Sequence, residues 1–201
     1  MINAMISALL QLGAVLLVAL CVYALARRPG RSFAAFVGLT PAPWKPVTIG
    51  LAIGLGFALA LIAIPGVRDV ASAEGTVVGE AIRGGVGMEV LSILVVRALI
   101  QTSLTEELVF RGLIGRNLVR RFGFAIGNTV QATSFGAVHF LLLLVPDSSV
   151  AVVALIVAAA ATAGWIIGWI NERMAAGSIL PGWAAHGAAN LGGYLSVALM
   201  A

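Results

Sequence analysis

The sequence predicts an all-α fold, a polytopic transmembrane helical bundle of about six spans. Three observations carry this. Of 201 residues, 61% are hydrophobic and only 10% are charged. The mean hydropathy of +1.07 lies far above that of a soluble domain of this length. The apolar residues also gather in runs of about 20, the number a helix needs to cross a bilayer at about 1.5 Å per residue. A net charge of +4 would suggest a nucleic-acid partner in a soluble protein. Here the basic residues sort into loops, so no nucleic acid is expected and the lipid bilayer is the first partner.

The runs cover 4–26, 47–65, 89–112, 124–145, 150–170 and 179–199. The first ends in Ala24-Leu25-Ala26, which resembles a signal-peptide cleavage site. No Lys or Arg precedes it, however, and Arg27, Arg28 and Arg31 follow it, so it reads as a retained span. The single cysteine, Cys21, follows Leu20 instead of the small residue that a lipid-attachment site requires, and reads as a buried core thiol. It rules out an internal disulfide. In the second run Gly50 and Gly54 are four apart, a spacing repeated at Gly123/Gly127 and Gly164/Gly168; small residues at that interval let helices approach closely, so these glycines read as packing positions. Residues 66–88, with Asp69, Glu74, Glu80 and Arg83, read as a solvated loop or short surface helix without chemistry. The basic tract 113–123 reads as a connection. No connection is large enough for a second domain, so 1–201 is read as a single integral membrane domain with its motif-bearing core at about 89–199.

Alternate loops differ in charge. Arg27, Arg28, Arg31, Lys45, Arg116, Arg120, Arg121 and Arg173 fall in the odd loops, and only Arg68 and Arg83 in the even ones. The positive-inside rule then puts the odd loops in the cytoplasm and both termini outside. Arg97 and Arg111 fall inside a span.

The third run contains Glu106, Glu107 and Arg111. A charge inside a membrane costs roughly 2.5–3.5 kcal/mol on insertion scales unless it is paired or wetted. Glu107 and Arg111, four apart, share a helical face and can pair. Glu106 is turned about 100° away and must face something else. Two histidines are present in the chain, and both lie in apolar runs: Phe135-Gly-Ala-Val-His139 in the fourth and His186-Gly-Ala-Ala-Asn190 in the sixth. His186 and Asn190, also four apart, project from one face. Convergence in the bundle interior is how three such clusters avoid lipid.

A group of Glu, His, His and Asn has two chemical uses. Glu106 can act as a general base toward water, helped by His139, with His186 and Asn190 donating to the oxyanion. Alternatively Glu106, His139 and His186 bind zinc, which generates the hydroxide. Both lead to amide hydrolysis. The chain has no His-Glu-x-x-His helix and no Ser-His or paired-Asp arrangement.

Glu106-Glu107-x-x-x-Arg111, Phe135-x-x-x-His139 and His186-x-x-x-Asn190, in this order on separate helices, resemble the CAAX prenyl protease and bacteriocin-processing family of intramembrane proteases, also called the Abi family. The resemblance covers roughly 104–191. It implies an endopeptidase with an active site within the bundle, reached from the cytoplasmic side of a bacterial-type plasma membrane. It also implies a membrane-embedded or lipidated peptide or protein substrate. Under it Glu106 and His139 activate water, His186 and Asn190 stabilise the oxyanion, and Glu107, Arg111 and Phe135 support the site; the resemblance allows either zinc or a metal-free glutamate mechanism. The alternative is a non-catalytic transporter or scaffold that uses the Glu/His cluster for an ion or partner, although the paired broken helices or duplicated half common in transporters are not evident. The spans as drawn also leave His139 nearer the outer end of its helix than Glu106 and His186. Convergence therefore requires that helix to begin inside the cytoplasm or the third to be displaced outward.

Overall fold

Helices account for the architecture, and no strand occurs among the described residues. The computed structural model describes residues 1–26, 30–83 and 85–200, so Arg27 and Arg28 of the basic cluster lie outside the described residues. In chain order the helices are α1 (Ile2–Leu25), α2 (Phe33–Val37), α3 (Trp44–Ile62), α4 (Val67–Ser72) and α5 (Val77–Ile82). They are followed by α6 (Met88–Phe122), α7 (Phe124–Val138), α8 (Val150–Met174) and α9 (Leu180–Met200). A 3-10 turn, His139–Leu144, continues α7.

Four of these, α1, α3, α6 and α8, are long and apolar enough to cross a membrane. The helices carrying the two histidines do not reach that mark. α7 is α-helical for 15 residues, and α9 has 21 but is diluted by His186, Asn190 and four glycines. Both have given up apolar residues to polar side chains that face inward.

The longest helix, α6, departs from regular α winding. Two π-helical stretches, Arg97–Leu104 and Glu107–Gly115, flank Thr105 and Glu106, and such wide turns concentrate at functional positions. The helix also continues through Arg116–Phe122, so the basic tract expected to be a connection is helical. Gly123, at φ +81°, then reverses the chain into α7. This glycine serves as a hinge, whereas its expected packing partner Gly127 does pack: a Cβ there would meet the Val119 backbone. α7 runs back along α6 from Gly123, and the turn that follows it brings His139 into the same cleft lining as Glu106.

The bundle closes on small residues. A Cβ on Gly50 or Gly54 of α3 would run into the carbonyl oxygens of Pro181 and Ala185 on α9, so the backbones touch as the four-residue spacing predicts. At the basic end α2, capped by the Ser32 hydroxyl and ended by Gly38 at φ +80°, inserts Phe36 and Val37 among Ala19, Leu108 and Ile179. Two expectations need correction. Residues 66–88 form the short helices that reading allowed, but α4 and α5 bury Val67, Val70 and Val78, and Val78 packs with Leu94, Val197 and Ala198. Cys21 is exposed, because α1 buries only Ala4, Ala8 and Ala19, a narrow face from which Cys21 points away.

The α3–α9 contact yields a paired test. Gly54→Ala is expected to lower stability by about 1–3 kcal/mol through overpacking. Gly56→Ala, where a Cβ meets nothing within 4 Å, leaves it unchanged or slightly raised. Thermal unfolding of both variants in detergent measures the difference.

Candidate active site

The two adjacent acids of α6 have opposite environments. Glu107 is fully buried, and its Oε1 lies 3.1 Å from Arg111 Nη1. The same oxygen accepts from His186 Nδ1 at 3.2 Å, tying α9 to α6. An isolated carboxylate could not hold this position, since burial costs several kcal/mol per ion and only a close counter-charge with further hydrogen bonds offsets it. The Arg111 guanidinium lies 4.1 Å over the Phe135 ring, a cation–π contact suited to a dry site. Phe135 in turn meets the rings of Phe110, His139 and His186 edge-on at 5.2, 5.2 and 5.4 Å. The Phe of the Phe-x-x-x-His motif thus packs both imidazoles.

Glu106 remains 33% exposed at its side chain, with Oε2 3.7 Å from His186 Nε2. It faces a cleft of about 590 Å³ whose wall also includes His139, Asn190 and Tyr194, together with residues of α4 and α5. The segment first read as inert surface therefore builds one side of this space. A second cavity of about 100 Å³ adjoins the same group; Phe135, His139, His186 and Asn190 line it, with Ala159, Ala160 and Ala163 of α8 as its floor. His139 sits where α7 tightens into the 3-10 turn, with Nδ1 2.9 Å from the Phe135 carbonyl. A carbonyl oxygen only accepts, so Nδ1 carries the proton and Nε2 is the other ring nitrogen. By the same reasoning His186 donates from Nδ1 to Glu107 and turns Nε2 to Glu106.

The Asn190 amide is already engaged. Its Nδ2 donates to Thr102 Oγ1 at 2.9 Å and to Ser103 Oγ at 3.1 Å. The Thr102 hydroxyl is itself directed at the carbonyls of Arg97 and Ala98, so it can only accept from Asn190. That fixes the amide orientation and leaves Oδ1 for the cavities Asn190 lines. Tyr194, one turn further along the face bearing His186 and Asn190, was not anticipated, nor were Thr102 and Ser103. The signal for the last two was present: Gln101-Thr102-Ser103 is a polar triplet inside an apolar run.

A second layer fixes the first. Gln131 Nε2 donates to the Gly164 carbonyl and to Asn128 Oδ1, and Asn128 Nδ2 to the Trp165 carbonyl, at 2.9–3.0 Å, which locks α7 to α8. Asn171 Oδ1 accepts from the Gly182 amide at 2.9 Å. A Cβ on Gly182 would strike Glu107 Oε2 and Asn171 Nδ2, so only glycine lets α9 pass this close to the buried carboxylate.

His186 has its Nδ1 committed to Glu107 and His139 its Nδ1 committed to a carbonyl, which leaves Nε2 on each ring, the arrangement a metal-ligating histidine also shows. Among the described residues no group of three His, Cys, Asp or Glu side chains lies close enough to hold a metal ion. The cleft is lined by α4, α5 and the turn after α7, elements at the other end of α6 from the basic hairpin.

Residues 89–192 match the family model described as Rce1-like, type II CAAX prenyl endopeptidase Rce1-like. The match covers just over half of the chain and spans all three motifs. No curated protein and no solved structure matches the chain.

Removing one member of the buried pair isolates the other. Glu107→Gln and Arg111→Met are each expected to cost about 3–5 kcal/mol. The double variant costs less than the sum, since neither charge is then left alone. Unfolding curves for the four proteins of this cycle measure the coupling.

Proposed function

The chain belongs to the Rce1-like family of type II CAAX prenyl endopeptidases, and on that premise we propose that it hydrolyses a peptide bond of a membrane-associated protein with Glu106 as general base. The observation that carries this is the division between the two acids. Glu107 is consumed by Arg111 and His186, while Glu106 alone faces the cleft.

In this reading a water lies against Glu106 Oε2 and His186 Nε2. Glu106 takes its proton as the oxygen attacks the scissile carbonyl carbon, and His139, facing the same cleft, assists. The oxyanion that forms is stabilised by His186 once its Nε2 also takes a proton, an imidazolium flanked by the carboxylates of Glu106 and Glu107. When the C–N bond breaks, Glu106 returns the proton to the departing amine. Glu107 acts as a positioning residue that holds the ring of His186, and Arg111 and Phe135 hold Glu107 and the imidazoles. Asn190, bonded to Thr102 and Ser103, fixes α9 against α6, and taking up the oxyanion role would require its amide to leave those hydroxyls. No step is routed through a metal.

Glu106→Gln is expected to lower the cleavage rate of membrane-peptide substrates at least about a hundredfold, the scale of general-base catalysis, with an unchanged melting temperature. Chelators leave the wild-type rate unchanged. A retained rate in the variant, or loss on chelation, contradicts the mechanism. We also place the basic hairpin in the cytoplasm on charge grounds. In a Cys21→Ala background, Glu74→Cys should react with an impermeant maleimide added to intact cells, whereas Arg121→Cys should react only after permeabilisation. The reverse pattern would turn the cleft mouth to the cytoplasm.

A further inference from the structure

The turn between α6 and α7 carries a cluster that the chemistry of the cleft does not use. Gly123 reverses the chain there, and Phe122 and Phe124 flank it, so their Cα atoms are at most roughly 7 Å apart. A guanidinium sits on each ring. Arg121 lies 5.3 Å from the centroid of Phe122, and Arg173, at the end of α8, lies 4.4 Å from that of Phe124, both within cation–π range. The two charges are thereby gathered at one turn of the chain. A guanidinium stacked by its face keeps its N–H edge available to an anion, and both arginines are exposed.

Neither arginine has a carboxylate within ion-pair distance among the described residues. Residues 113–124 and 170–178 hold Arg116, Arg120, Arg121 and Arg173 against Glu172 as their one acid, and Glu172 lines a small cavity beside Arg116. Positive charge is therefore in excess at this end of the bundle.

The apolar side of the same cluster faces lipid. Trp165 meets Phe124 edge-on, with ring centroids 6.0 Å apart, and Trp165 and Trp169, one turn apart on α8, are each 41% exposed. Tryptophan near the end of a span belongs to the belt at headgroup level. Arg173 follows Trp169 by four residues, so one strip of α8 passes from indole to guanidinium toward the end of the helix. A soluble anion would use the guanidiniums alone, whereas a lipid uses the whole strip, since its phosphate and its acyl chain are joined in that order.

We propose that the α6–α7 turn and the end of α8 form a docking site for an anionic phospholipid, its phosphodiester held by Arg121 and Arg173 and an acyl chain lying along Trp165 and Trp169. Paired N–H···O bonds from guanidinium to phosphate supply the specificity, and the surplus charge supplies the attraction to an anionic headgroup. The site is independent of the reaction at Glu106.

The test titrates the purified protein in detergent with phosphatidylglycerol or phosphatidylcholine of identical acyl chains and counts bound lipid by native mass spectrometry. Wild type is expected to bind phosphatidylglycerol roughly tenfold more tightly. Arg121→Gln combined with Arg173→Gln brings that ratio near one with an unchanged melting temperature in lipid-free detergent, and the corresponding double lysine variant keeps part of it. Lys45→Gln, which removes a cation at the start of α3, leaves the ratio as it was. In the otherwise native chain, phosphatidylglycerol brominated in its acyl chains quenches tryptophan fluorescence more than brominated phosphatidylcholine does, and Trp165→Phe with Trp169→Phe removes the difference. A wild-type ratio of one, a ratio undiminished in the double glutamine variant, or an equal fall in Lys45→Gln, the mark of diffuse charge, overturns the site. A quenching difference that survives loss of both tryptophans puts the lipid elsewhere and also overturns it. Displacement of phosphatidylglycerol by free glycerol phosphate overturns the lipid assignment in favour of a soluble anion.

Discussion

One buried carboxylate organises the motif-bearing half of this bundle. Glu107 sits where water cannot reach it and holds its charge because Arg111 pairs with it from the next turn and His186 donates to it from another helix. Each contact has a structural consequence beyond its own energy. The first turns the guanidinium onto Phe135, which carries both imidazoles. The second fixes the rotation of α9, and with it the direction in which Asn190 and Tyr194 point. Gly182 is the concession that lets α9 come within reach. Remove the carboxylate, and Arg111 and His186 lose the group that positions them while remaining buried.

Wide winding in α6 is the second constraint. A regular helix would present its polar residues around the whole circumference, exposing some to lipid. The π stretches instead gather Arg97, Thr102 and Glu106 toward the interior. They also make room for side chain to backbone bonds, such as Trp183 Nε1 to the Leu99 carbonyl, that satisfy groups a regular ladder would have used. Such winding is less stable alone than α-helix and persists because α1 and α9 grip it, α1 through Gln11 on the Gln101 carbonyl and on Thr105. The irregular backbone and the polar site are one feature seen at two levels.

Much of this was legible in the sequence. Hydropathy marked the helices, four-residue spacing marked Gly50 and Gly54 as contacts and Glu107 with Arg111 as a pair, and the three motifs marked the side chains that share the cleft. What escaped depended on tertiary context. No residue pattern announces π winding, and α6 runs past its apolar stretch because helical geometry continues through Arg116, Arg120 and Arg121. Residues 66–88 looked like surface because their acids dominate the composition, yet Val67, Val70 and Val78 are what the fold uses. Cys21 looked buried because its neighbours are apolar, which in a membrane protein describes the lipid face as well as the core. The Asn190 amide could be placed on the correct face from spacing, but which groups it would bond could not.

The account stands or falls on Glu107 holding His186 through Nδ1. With two histidines in the chain, nitrogen-15 NMR on protein labelled at histidine alone, reconstituted in bilayers, reports each ring separately. Both rings should carry a proton on Nδ1, and Glu107→Gln should shift the His186 resonances while those of His139 stay in place. A His186 ring with an unprotonated Nδ1, or one indifferent to Glu107, would contradict the arrangement on which the assignment of Glu106 as the free acid depends.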